Sequence, residues 1–236
     1  MKFFKPHQFI ASHWQLLIIL AGVFVLWQTP VMIPLKILVV LLHELSHALA
    51  AWLTGGSVEQ ISVSTAQGGF AITRGGSRFV ILSAGYLGSL LIGAALLIVA
   101  LRSNIDRLVT AVLGGVMILV TVLFVRDLFT AAFCLGTAGV LLASSRLLGH
   151  AANDMVLRVI GLSSLIYVPY DIFDDTIARA ALRSDAHMLA QEFGGTTMLW
   201  GGLWLVLSLG VILWCVRHIL GQTSNLPLPS RRSEQP

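Results

Sequence analysis

Apolar residues in this chain fill long runs that short polar clusters interrupt, a pattern of membrane-spanning helices and not of amphipathic faces. The first run, Trp14 to Trp27, is slightly short for a full span and is closed by Thr29-Pro30, so Val31 to Pro34 must help. A second runs from Leu35 to Leu53 and stops at Gly55-Gly56. Further spans are predicted at Arg78 to Leu101, Leu108 to Val125, Leu128 to Leu142, Val156 to Val168 and Thr197 to Val216. The pair Arg126-Asp127 marks a tight turn between two of them, and tryptophans near one end of the last read as an interfacial belt.

One stretch breaks the helical pattern. Val58 to Ser64 alternates apolar and polar side chains imperfectly, Gln67-Gly68-Gly69 reads as a turn, and Phe70 to Arg74 returns, which predicts a β-hairpin. Non-helical backbone at membrane depth has to be covered by protein or face a wet cavity. The hairpin is therefore either a wall of a cleft, with an edge for an extended peptide, or a surface loop. After Pro169, Tyr170, Asp171, Asp174 and Asp175 read as a solvated acidic loop. The predicted fold class is an all-α polytopic membrane protein, with about six or seven transmembrane helices and a short membrane-associated β-hairpin. Residues 1–220 form one transmembrane domain, and 221–236, polar and proline-containing, a disordered tail.

Composition supports this. Of 236 residues, 56% are hydrophobic and only 11% charged, under half the usual charged share of a soluble domain, and the mean hydropathy is +0.87. The net charge of +4 is spread between apolar runs, which excludes a nucleic-acid patch. Cys134 and Cys215 lie in separate runs and read as small packing residues. The first run lacks a small-x-small cleavage site and is expected to stay as a helix.

The candidate chemistry lies in the second run, at His43-Glu44-Leu45-Ser46-His47. Histidines four apart on a helix share a face about 6 Å along its axis, so both rings reach one zinc ion, and the adjacent Glu44 is placed as a base toward water there. Three titratable side chains in a bilayer-suited helix are costly without partners, which favours a metal site over a polar packing patch. A catalytic zinc takes three protein ligands. The third comes from Asp171, Asp174, Asp175, Asp185 or His187, with Asp127 and Asp154 as outsiders, and spacing alone does not choose. Asp185, between Ser184 and Ala186 at a predicted helix start, is suited to a close approach and equally to capping that helix.

These residues resemble the site-2 protease family of intramembrane zinc metallopeptidases, and within it the small bacterial B-type branch without a PDZ domain. Three pieces carry the resemblance: the His43 to His47 motif, followed by Ala48 and later Gly55-Gly56; Ser83-Ala84-Gly85-Tyr86-Leu87-Gly88-Ser89, similar to the family's Ala-Gly-Pro-x-x-Asn element; and Ser184-Asp185-Ala186, similar to the branch's Ser-Asp-Ala motif. The resemblance implies His43, His47 and Asp185 as zinc ligands and Glu44 as base. It also implies a hairpin at Val58 to Arg74, a membrane protein or peptide as substrate, and a bacterial cell membrane as location. Tyr86 stands where the family has proline, Ser89 where it has asparagine, and Ala186 where its Asp-Gly motif has glycine. Two other functions compete with an endopeptidase: a non-catalytic zinc-binding scaffold or chaperone, and a transporter with Asp171 to Asp175 on an ion path.

Overall fold

The computed structural model describes residues 6–178, 183–219 and 222–226. The chain forms α1 (Pro6–Leu26), a short 3-10 turn (Pro30–Met32), α2 (Ile33–Leu53), a hairpin of β1 (Ser57–Val63) and β2 (Gly69–Arg74), then α3 (Arg78–Arg102), α4 (Asp106–Phe124) and α5 (Leu128–Leu147). It continues with α6 (His150–Phe173), a π-helical turn (Asp174–Ala178), α7 (Asp185–Phe193) and α8 (Thr197–Ile219). Among the described residues, seven helices are long and apolar enough to cross a membrane, all but α7. This is the predicted class, a multi-pass helical membrane protein with one antiparallel hairpin.

Three helices form the centre. About 61% of the spanning residues of α2 and α6 and 50% of α3 are buried, against 17% in α1 and 22% in α4 and α8, whose outer faces carry the exposed leucines and valines that lipid covers. Small residues set the central spacing. A Cβ on Gly88 would lie 2.5 Å from Ser46 in α2, and one on Gly93 2.3 Å from Ser164 in α6, so α3 approaches both neighbours nearly backbone to backbone. Cys134 and Cys215 are buried and form no disulfide, as suits packing residues.

Several predicted boundaries shift. The first helix begins at Pro6, not near Trp14, and at 21 residues is long enough to span. Its polar start is held by residues 222–226: Ser224 bonds His13 Nδ1 at 2.8 Å, and Asn225 Nδ2 donates to the Ala11 carbonyl. The remaining residues of the tail read as disordered lie outside the described residues, as does Arg179. The sixth helix was expected over Val156 to Val168 but runs from His150 through Pro169. Its polar first turns are tolerated because Arg158 pairs with Asp154 one turn earlier, and His150 Nδ1 meets Asp106 Oδ2 at 2.7 Å. Asp171, Asp174 and Asp175 are accordingly helical and not a loop. At the opposite end, where α6 begins, arginines close helix termini. Arg107 donates to the Ser145 and Arg146 carbonyls of α5, and Arg102 to the His218 and Ile219 carbonyls of α8.

The hairpin is anchored inside the bundle. Ile61 and Val63 are buried, Ser62 donates to Asp127 Oδ2 at 2.8 Å, and Val63 exchanges hydrogen bonds with the Thr130 hydroxyl. Asp127 also accepts from the Thr130 amide and so caps α5. Partial burial pushes its carboxyl up, but the Thr130 amide and the Ser62 hydroxyl outweigh this and hold it below the ordinary value.

Candidate metal centre

The geometry starts with α2, whose helical spacing stacks His43 and His47 on one face, ring centroids 4.7 Å apart. α3 crosses directly over them at Gly85. A Cβ there would sit 2.3 Å from His43 Nε2 and 2.6 Å from His47 Cε1, so the close approach needs glycine. Four residues earlier, the Ile81 carbonyl accepts from His47 Nδ1 at 2.6 Å. That bond fixes the tautomer and leaves the Nε2 lone pair facing inward.

α7 supplies the third group. Ser184 caps it by accepting from the His187 amide, and Ala186 and Leu189 bury its inner face completely. This points Asp185 at the pair: its Oδ2 lies 3.0 Å from His43 Nε2 and 3.1 Å from His47 Nε2. The other candidates go elsewhere. His187 bonds Gln191 and Thr197, Asp127 caps α5, and Asp154 pairs with Arg158. Asp171 and Asp174 line the same cavity, and Asp175 accepts from the Tyr86 hydroxyl at 2.5 Å.

The three donor atoms lie within 4.8 Å of one another. A carboxylate oxygen 3.0 and 3.1 Å from two imidazole nitrogens calls for a proton or a cation among them. Those two separations are close to the ~3.3 Å between ligands of a tetrahedral zinc with bonds near 2.05 Å. The residues present therefore fit a divalent cation of the zinc type. The site lies about 10 Å below the start of α3 by helical rise, at membrane depth.

Water has a route there. A cavity of about 700 Å³ reaches the cluster, with Gln28, Lys36, Asp171, Asp174 and Arg183 among its walls. Glu44, 6% exposed, lines it beneath β2, where a Cβ on Gly69 would meet its carboxylate at 2.8 Å. Gly69, Phe70 and Ala71 form a wall, so the hairpin is part of the cleft.

Two contributors escaped sequence reasoning. The Ile81 carbonyl carries no side-chain signal. Tyr86 stood out only as a departure from the family pattern. It is 1% exposed, and its ring meets His43 edge-on at 4.7 Å. Ser89, the other departure, turns its hydroxyl back onto the Gly85 and Tyr86 carbonyls and packs against α6.

Fold and site thus define a multi-pass membrane protein with a His-Glu-His helix and a converging aspartate inside its bundle. Residues 16–215 match the model of the peptidase M50B-like family, and the chain belongs to that family, a branch of the site-2 proteases. No PDZ domain is evident among the described residues. Membership carries a membrane-metalloprotease role. No curated protein and no solved structure matches the chain.

Proposed function

We propose that this protein is a zinc-dependent intramembrane endopeptidase, acting on a membrane-embedded or membrane-associated segment of another protein in a bacterial cell membrane. The observation that carries the reading is the convergence of His43 Nε2, His47 Nε2 and Asp185 Oδ2 at the end of a polar cavity within the bundle, with Glu44 beside them.

In this reading His43, His47 and Asp185 hold the ion. Zinc held there would supply electrophilic activation, polarising a carbonyl and bringing the pKa of a water it binds to about 7. Glu44 takes a proton from the attacking water as its oxygen adds to the carbonyl carbon. The same carboxyl then delivers the proton to the amine as the carbon–nitrogen bond breaks. Ile81 holds His47 in the ligating tautomer, and the covering β2 limits bulk water around Glu44. The substrate has to enter unwound, since a helical peptide bond is shielded by its own backbone; the β2 wall offers an extended segment a surface to lie against.

Cleavage of a model transmembrane peptide by detergent-purified protein tests this. Glu44→Gln is expected to lower the rate by about 10²- to 10⁴-fold while zinc is retained. Equal cleavage by both proteins removes Glu44 as base. Peptide capture without turnover by either favours the non-catalytic scaffold.

A further inference from the structure

Tyr86 occupies a junction that neither the family match nor the reaction above explains. Its ring is wedged between His43, edge-on at 4.7 Å, and Trp204 of α8 at 5.2 Å, while its hydroxyl donates to Asp175 at 2.5 Å. Asp175 lies in the π-helical turn that follows α6, and that turn packs against α7, the helix that begins at Asp185. The turn is gripped from a second side by α8: a Cβ on Gly201 would overlap Thr176 at 2.1 Å, and Thr176 bonds back to the Ile172 carbonyl. The first histidine and the aspartate come from elements 142 positions apart. Tyr86 touches the first of these and bonds the turn packed against the helix that carries the second. A proline, which the family pattern has here, offers no donor for this bond.

We infer that Tyr86 is a positioning residue: its bond to Asp175 tethers the turn after α6 and, through the packing of that turn on α7, holds Asp185 against His43 and His47. The inference rests on the zinc reading for its functional meaning, though not for the tether itself. A bond to a carboxylate inside a bundle is stronger than a neutral one, and through it α3 reaches this turn. Losing a partner that orients a ligand typically weakens metal binding by about 10- to 100-fold.

The test compares full-length wild type with Tyr86→Phe, Asp175→Ala, the double variant and Asp175→Asn, by hydrogen–deuterium exchange over residues 183–193 without metal and by zinc affinity. Tyr86→Phe keeps the ring on His43 and removes only the donor. It and Asp175→Ala are expected to speed exchange in that segment similarly and to weaken zinc by about tenfold. The double variant should add nothing further, and Asp175→Asn, which still accepts from the phenol, should recover most of the loss. Unchanged exchange over 183–193 in Tyr86→Phe, or additive effects in the double variant, overturns the tether. If wild type binds no zinc, the zinc reading fails alone, because the metal-free exchange still decides the tether.

Discussion

Each histidine of the motif depends on a neighbour that lacks a side chain at the point of contact. Gly85 lets α3 lie on both imidazoles, and Gly69 lets β2 lie on Glu44. Gly85→Ala would force a Cβ to within 2.3 Å of His43 Nε2, so His43 or α3 must shift. The expected outcome is loss of bound zinc, measured on purified protein, with helical content retained; full zinc retention would show that the close approach is relaxed in solution. His43, Glu44 and His47 were legible because their relation is local, one turn of one helix. Asp185 was legible only as one of several acids. Its partners lie 142 and 138 positions away in sequence, and nothing local to it records which way α7 faces. Tyr86 was legible as an oddity and no more, since its role needs the end of α6 in place.

At the scale of elements, the apolar runs fixed the existence of the spans, and their polar ends were misread. The start of α6 looked too polar for a helix because Asp154, Arg158 and His150 solve one another's burial only once α4 is alongside. Asp154→Ala is expected to destabilise the protein by about 3 kcal/mol, read by chemical unfolding in micelles, because it removes the ion-pair partner of buried Arg158 and leaves it the Ser224 carbonyl as hydrogen-bond acceptor. The hairpin was recognisable from its alternation and turn, but not its anchorage through Asp127 and Thr130 to the α5 start. Asp127→Ala removes that cap and should cost about 1 kcal/mol. The effect has a pH signature. The Asp127 carboxyl is held below its ordinary value, so its contribution is full above the unfolded carboxylate pKa of about 4 and fades as pH falls through the lower folded value. The stability difference between wild type and Asp127→Asn, measured from pH 7 downward, should shrink in that window; a difference independent of pH would contradict the assignment.

For the molecule as a whole, the buried centre of α2, α3 and α6, with α7 bringing Asp185 to it, holds the site, while α1, α4, α5 and α8 present more of their surface outward. The polar cavity lets water reach a cluster set at membrane depth, and one wall is a strand, not a helix. The central claim is that His43, His47 and Asp185 together hold one metal ion. Its most direct test is the zinc content of purified full-length protein, compared with His43→Ala and Asp185→Ala. The expected result is one zinc per chain in wild type and little or none in either variant. Zinc retained in full by Asp185→Ala would contradict the claim.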